Sequence, residues 1–406
     1  MKNLKVMIVA LVAMLCFSAC DNKCDHEFVE VDYSNALVGT WASWENTLAE
    51  AMVIKEDGSF TITGITAGGS LHKDKGTLTV VNNKISLKFE SSGETLEGRL
   101  EIVAGEIMSI VLNDKFDIRA TYHYCKEDLS DKVIGTWVCN DGVAGMVIQT
   151  YQEDGKAIFT GFSLGANGYM TNLKSTYEVV GDMIFQKTGD RYFATHLKYI
   201  SNGTAYGDIL STSASILVND EYVTSSYSFL RVKQSLNLTD KVYDYSSAYV
   251  TNVKGKDEDF SIVGNTFNIA KMNASNFDMM FRSVLSCLEF PNATTIKQHF
   301  LTNGVESGFD TPITVEGNKV TLDMSAGNPA YRKVEMYMFQ DADDSQLHIY
   351  MPTASFINYF ANLELVTLLV DGKIDLNDAT AVAKVFADME ARIESVNVSL
   401  VYKARK

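Results

Sequence analysis

The chain has 406 residues, of which 46% are apolar, 21% charged and 11% aromatic, a globular profile that excludes disorder as its main state. At roughly 100 to 200 residues per domain, this length predicts two to four domains. The 51 acidic residues against 35 basic ones leave a net charge of -16, which repels phosphate backbones and excludes nucleic acid as an expected partner.

Lys2 and Lys5 form a basic start, and the apolar run from Val6 to Phe17 is shorter than the roughly 20 residues that cross a bilayer. Residues 1–19 therefore read as a signal peptide. The ending Phe17-Ser-Ala-Cys20 resembles the lipobox of bacterial lipoproteins. That resemblance implies an acylated Cys20, a membrane partner held through the lipid, and an outer-membrane location on the cell-surface or periplasmic face. An ordinary secretory signal with a chance cysteine is the alternative. Residues 20–31 read as a tether, whose segment Asp21-Asn-Lys-Cys-Asp-His-Glu27 resembles the acidic leader of surface lipoproteins of the Bacteroidetes. Beyond Cys20 come Cys24, Cys125, Cys139 and Cys287. None forms a C-x-x-C or a Cys/His pair at zinc spacing, so no metal is expected. A Cys125–Cys139 disulfide and free buried thiols both stay open.

An internal repeat follows. Leu37-Val-Gly-Thr-Trp41 recurs as Val133-Ile-Gly-Thr-Trp137, Glu56-Asp-Gly58 as Glu153-Asp-Gly155, and Thr63-Gly64 as Thr160-Gly161, in the same order. Leu129-Ser-Asp-Lys-Val133 returns as Leu238-Thr-Asp-Lys-Val242 and opens a third unit. The units are drawn at 32–126, 130–233 and 238–406. In the first, alternating runs bounded by turn residues predict strands at 37–44, 49–56, 59–66, 72–81, 84–90, 95–104, 106–113 and 115–125. The second unit divides in the same way. Eight sequential antiparallel strands are best satisfied by closing into a barrel, which removes unpaired edges, although a sandwich stays open. Only four prolines occur in the chain, as strands paired on both sides require.

The paired motifs Gly39-Thr-Trp41 and Gly135-Thr-Trp137, each opening an eight-stranded meander, resemble the opening motif of the lipocalins and the wider calycin group. The resemblance implies that each Trp plugs the closed end of its barrel under a basic side chain from near the last strand. Aligning Tyr122-His-Tyr124 with Tyr227-Ser-Phe229 puts Lys126 and Arg231 in that role. As a whole the chain resembles lipocalin-like lipoproteins of unknown function from gut Bacteroidetes. The third unit has Tyr243-Asp-Tyr245 where the Trp would stand, and is longer and mixed. Phe356, Tyr359, Phe360, Leu363, Val366 and Val370 follow helical spacing up to a stop at Gly372. Asn377 reads as the cap of a second helix carrying Val382, Val385, Phe386, Met389 and Ile393. The expected fold is mainly β: two small eight-stranded antiparallel lipocalin-like barrels plus a third α+β barrel-like unit with two helices inserted before its last strand.

Chemistry is sparse. Gly161-Phe-Ser-Leu-Gly165 matches the hydrolase elbow, but Ala166-Asn-Gly168 starts no helix, and Gly64-Ile-Thr-Ala-Gly68 stands at the same place in the first repeat. Asp371-Gly-Lys-Ile-Asp375 resembles part of a calcium loop, yet the register puts Thr367 and Leu369 at the first two ligand positions. Asp341-Ala-Asp-Asp344 reads as a hairpin tip, and the histidines are scattered, with His123 a wall residue. Neither an enzyme nor a cofactor is expected. The candidate ligand contacts are Trp44, Tyr169, Tyr331, Tyr337, Phe339 and Tyr350, rings near turns or alternating along strands that could stack on sugars or apolar ligands, or fill cores. The expected function is non-catalytic binding of a small apolar or glycan-like ligand. A structural or adhesion subunit with filled barrels is the main alternative, and a hydrolase the remaining one.

Overall fold

The computed structural model describes residues 36–44, 49–66, 69–113, 118–141, 145–161, 171–201, 204–211, 223–262, 265–302 and 305–406. The signal peptide, Cys20, the tether, Cys24, Ser163 and Tyr169 lie outside these residues. The first repeat forms a closed barrel of eight antiparallel strands in sequence order. These are β1 (Gly39–Ser43), β2 (Ala49–Ile54), β3 (Ser59–Ile65), β4 (Leu71–Val81), β5 (Lys84–Phe89), β6 (Thr95–Val103), β7 (Ile107–Asn113) and β8 (Ile118–Tyr124). All eight predicted strands are present. Two-residue alternation turns one face of each inward, and the interior is packed with Trp41, Met52, Phe60, Ile62, Leu78, Ile85, Leu87, Leu100, Met108 and Ile110. The β4–β5 hairpin turns through Asn82 and Asn83 at φ +51° and +60°, where Asn tolerates the left-handed conformation that tight hairpins need.

The second repeat closes in the same way. Its strands are β9 (Gly135–Asp141), β10 (Gly145–Tyr151), β11 (Lys156–Gly161), β12 (Thr171–Val180), β13 (Met183–Thr188), β14 (Arg191–Ser201), β15 (Thr204–Ser211) and β16 (Val223–Val232). The two opening motifs are built alike but covered differently. Trp41 donates from Nε1 to the Leu37 carbonyl at 2.8 Å and meets Tyr124 edge-on, centroids 5.2 Å apart. Over Trp137 lies the guanidinium of Arg231, 4.6 Å from the ring centroid. In the strand register Trp41 faces Tyr124 and Trp137 faces Arg231. The residue equivalent to Arg231 is therefore Tyr124, and the expectation for Lys126 is corrected. Lys126 lies two residues further on, is exposed, and pairs with Glu106 at 2.7 Å. A slip of two residues keeps every side chain on its face, so alternation in the sequence alone could not expose it.

The third unit is also a closed eight-stranded barrel. It begins with β17 (Lys241–Gly255), followed by a hairpin of β18 (Phe260–Ile262) and β19 (Asn265–Phe267) and by helix α1 (Ala274–Val284). The barrel then continues through β20 (Cys287–Asn292), β21 (Thr295–Thr302), β22 (Val305–Glu316), β23 (Lys319–Leu322), β24 (Val334–Gln340) and β25 (Gln346–Met351). Helices α2 (Thr353–Val370) and α3 (Ala379–Arg392) precede the closing strand β26 (Ile393–Ala404). The two inserted helices were expected; α1 and the β18–β19 hairpin were not. Asn273 caps α1 through a reciprocal capping box with Asn276, a device read less readily than Ser/Thr with Glu. Phe281 of α1 packs edge-on against Phe356 and Phe360 of α2. Gly372, at φ +64°, stops α2 as expected. The cap of α3 is Asp378, whose Oδ1 accepts from the Thr380 and Ala381 amides; Asn377 sits one residue before it. In the third unit Tyr243 is fully buried, and the Arg282 guanidinium lies 5.3 Å from the Tyr245 ring.

The chain divides into two compact units whose boundary runs through the second barrel. One takes the described residues of Met1–Ile134 with Tyr151–Ala157 and Lys174–Ser228, and the other takes Gly135–Thr150, Ile158–Leu173 and Phe229–Lys406. In the first unit, outward-facing Ala42, Ala49, Ala51 and Ile65 pack against Met183, Phe185 and Ala194. In the second, Val138, Met146, Ile148 and Val232 pack against Phe339 and Tyr350. Cys125, Cys139 and Cys287 are buried and outside any disulfide, so the Cys125–Cys139 disulfide is not formed.

Candidate functional site

Apolar side chains of helix α2 spread well beyond one stripe. Ten of its 18 residues are buried, while Val366, Leu369 and Val370 at its C-terminal end are exposed. A helix with more apolar surface than its core-facing stripe requires has a second face to satisfy. The exposed end of α2 borders a cleft of about 650 Å³ in the third barrel, within the size range of small-molecule sites. One wall is Leu363, Val366, Thr367 and Val370 of α2, and the opposite wall is Phe300 of β21 with Phe309 and Pro312 of β22. The third wall is the β23–β24 connection, with Met324, Gly327 and Tyr331. Apolar groups dominate the lining, and the charged groups in it are Asp310, Asp323 and Asp371. Phe300 and Phe309 present rings 6.0 Å apart.

The β23–β24 connection lacks regular structure apart from a short 3-10 turn at Met324–Ala326, and α2 holds it. Asn362, with no exposed surface, accepts the Arg332 amide at 2.9 Å, donates to the Arg332 carbonyl at 2.8 Å, and reaches Met324 Sδ at 3.1 Å. A buried amide that pairs both backbone groups of one residue works as a clamp. The Arg332 side chain continues outward to Glu390 at 2.9 Å and over the Phe386 ring at 4.0 Å. Asp323 is held well inside its charged range by hydrogen bonds from Ser325 and then Lys333, which keeps a carboxylate at the mouth.

Among the described ring residues singled out from sequence, Tyr331 alone lines this cleft. Tyr337, Phe339 and Tyr350 are corrected as ligand contacts. Phe339 and Tyr350 are buried, with Tyr337 packed against them, in the apolar joint with β9 and β10, and burial pushes the Tyr350 hydroxyl above its usual pKa. Alternation placed these rings on one face without saying what covers it. Trp44 is half-buried between two imidazoles, stacked 4.5 Å from His123 and 3.5 Å from His196. His123, paired within β8 of the barrel wall as expected, turns its ring outward into this stack. Asp341 is a buried hairpin anchor, accepting from Ser345 Oγ at 2.6 Å and the Gln346 amide at 2.9 Å. Among the described residues no cluster of three His, Cys, Asp or Glu is arranged to hold a metal. Sequence reasoning missed Phe300, Phe309, Asp310 and the loop clamp. The available signals were the surplus apolar face of α2 and the single Asn362 within it.

No protein family known from its sequence pattern matches the chain, and no curated protein matches it. Among solved structures, the chain is similar to a double mutant of the vaccine antigen transferrin binding protein B from Haemophilus parasuis Hp5. The identity is 9%, the match covers 89% of this chain and 67% of that one, and the TM-score is 0.24. At that score the likeness carries no argument about function, and the barrel assignment rests on the strand topology.

Proposed function

We propose that this protein is a non-catalytic lipoprotein, anchored in the outer membrane through Cys20, that binds a small apolar molecule in the cleft of its third barrel. The cleft beside α2 is the observation that carries the reading: a concave, largely apolar site walled by three elements and clamped by a buried amide. The interior of the first barrel is filled by its own side chains, as expected for eight strands, so that barrel serves as a spacer. The spacer role also supports the rival reading, an interaction subunit with no ligand. Of the six rings expected to stack on a glycan, Phe339 and Tyr350 are covered and Tyr331 lines the cleft.

The test is a titration with the neutral lipophilic fluorophore N-phenyl-1-naphthylamine. Gly327 lines the cleft, its φ is -87°, and a Cβ there would meet no atom within 4 Å. Gly327→Phe therefore fills the site without straining the backbone. The expected result is saturable fluorescence enhancement for the parent chain and loss of it in Gly327→Phe. Absence of saturable enhancement, or an unchanged titration in the variant, would refute the reading. For the anchor, metabolic labelling with a fatty acid should be lost in Cys20→Ala.

A further inference from the structure

The cleft meets β22 along its edge. Phe309, Asp310, Thr311 and Pro312 all line it. Consecutive strand residues point alternately to opposite faces of a sheet, so a hollow that touches all four faces the edge of the strand. That edge is open. β21 pairs with β22 from Val305 to Pro312, whereas β23 on the other side reaches only from Ile313 to Glu316. The chain then turns away, after the Asp323 amide bonds the Pro312 carbonyl. The Ile313 amide bonds to the Thr294 carbonyl, on the β21 side. Residues of an inner antiparallel strand direct their backbone groups alternately to one neighbour and the other, so the N–H and C=O groups of Glu306, Gly308 and Asp310 point to the open side. They have no hydrogen-bond partner among the described residues, and all three residues are exposed.

We propose that this edge and the cleft beside it form a docking site for an extended peptide, which adds to β22 as a further strand. A row of unpaired backbone donors and acceptors is complementary to another strand. In strand addition the main-chain bonds supply affinity, and pockets for alternate side chains supply selectivity. Here the pocket is the cleft. A residue placed opposite Phe309 shares its face of the sheet and enters the hollow walled by Met324, Leu363 and Val366. The inference rests on the cleft being a binding site and names its occupant: the apolar group that fills it is a side chain carried on a peptide. A lone apolar molecule fills the same hollow and leaves the edge unpaired. The partner runs antiparallel, as β21 and β23 do, so its inward apolar residues alternate with residues whose amides bond to β22.

The experiment is displacement of bound N-phenyl-1-naphthylamine by an end-capped peptide of alternating residues, Thr-Phe-Thr-Val-Thr. Two further forms keep every side chain, one N-methylated on the threonines and the other on the phenylalanine and valine. The unmethylated peptide should displace the probe and slow hydrogen exchange at the Glu306, Gly308 and Asp310 amides, read by mass spectrometry over residues 305–312. Methylating the threonine amides, which face β22 in an antiparallel pair, should weaken displacement at least about tenfold, the net value of two or so lost hydrogen bonds. Methylating the other two amides should change it less than about threefold. Equal displacement by all three peptides, or displacement without protection of β22, overturns strand addition while leaving an apolar site that the probe still reports. Failure of the unmethylated peptide against a probe that does bind overturns it as well. Self-association that protects the same amides without peptide makes a second copy of the chain the occupant, and overturns the peptide.

Discussion

Removing the Asn362 amide should open the cleft without unfolding the barrel. In Asn362→Ala, the Arg332 amide and carbonyl lose their partners, at 2.9 and 2.8 Å. Arg332 is itself exposed, so water can reach these groups once the connection lifts, and each lost bond costs its net value of about 0.5–1.5 kcal/mol and not the full desolvation penalty. The sum is about 1–3 kcal/mol, a five- to roughly hundredfold rise in the population of the lifted loop. Hydrogen exchange read by mass spectrometry should show that loss of protection over residues 324–333, with smaller changes in β24 and β25. Binding of the neutral probe should weaken in parallel. Asn358 provides the control: its contacts to Arg332 and Lys333 are 3.4 and 3.5 Å long and exposed, so Asn358→Ala should stay within about 0.5 kcal/mol of the parent. If the two variants behave alike, or if Asn362→Ala loosens the barrel strands as much as the connection, the clamp argument is wrong.

The two opening glycines should differ in cost. Both hold positive φ, +138° at Gly39 and +129° at Gly135, which strains any other residue by about 1–3 kcal/mol. A Cβ at Gly39 would also lie 2.5 Å from Tyr124 Cε2, against 3.6 Å from Arg231 at Gly135. Gly39→Ala should therefore destabilise β1 and β8 by about 1 kcal/mol more than Gly135→Ala destabilises β9 and β16, as resolved by hydrogen exchange; equal costs would contradict the geometry. Glu50 is buried in the first barrel with the Tyr122 hydroxyl donating to it, and burial, its largest influence, raises its pKa above 4.5. A raised acid binds its proton more tightly folded than unfolded, so the first barrel should lose stability as pH rises above about 4.5 until Glu50 ionises. Glu50→Gln should flatten that slope in denaturant melts recorded across pH. His348 is buried beside Asn140 at 2.7 Å, and burial depresses its pKa from 6.5 to about 4. A depressed base contributes stability above pH 6.5 that is lost on acidification towards pH 4, at most about 3 kcal/mol, and His348→Gln should remove most of that dependence. Asp378→Ala should cost α3 about 0.5–2 kcal/mol by helix-resolved exchange, and Asn377→Ala little; the reverse order would reinstate Asn377 as the cap.

The barrel strands were legible because each is a local pattern. Alternation, Asn82-Asn83, Gly181-Asp182 and Gly317-Asn318 are signals a few residues long, and the repeated Gly-x-Trp set the start of two barrels. Across-barrel relations were not legible. Alternation carries no information about a slip of two residues, so Lys126 was chosen over Tyr124 against Trp41. The capping box of α1 uses Asn at both ends, and its buried set Phe277, Met280, Phe281 and Val284 lay in a short, weakly marked stretch. Tyr337, Phe339 and Tyr350 alternate correctly along their strands, and the face they share is covered by residues about 200 positions earlier in the chain.

What the amino-acid order determined by itself is the eight strands of the first barrel, the like division of the second and the two late helices, because each follows from periodicity and turn chemistry within a dozen residues. The cleft was decided by tertiary structure alone. Phe300, Phe309, Tyr331 and Val366 belong to separate elements, and only barrel closure and the Asn362 clamp bring them together around one apolar hollow. Side-chain convergence of that kind depends on long-range packing, to which short-range hydrophobic spacing is blind.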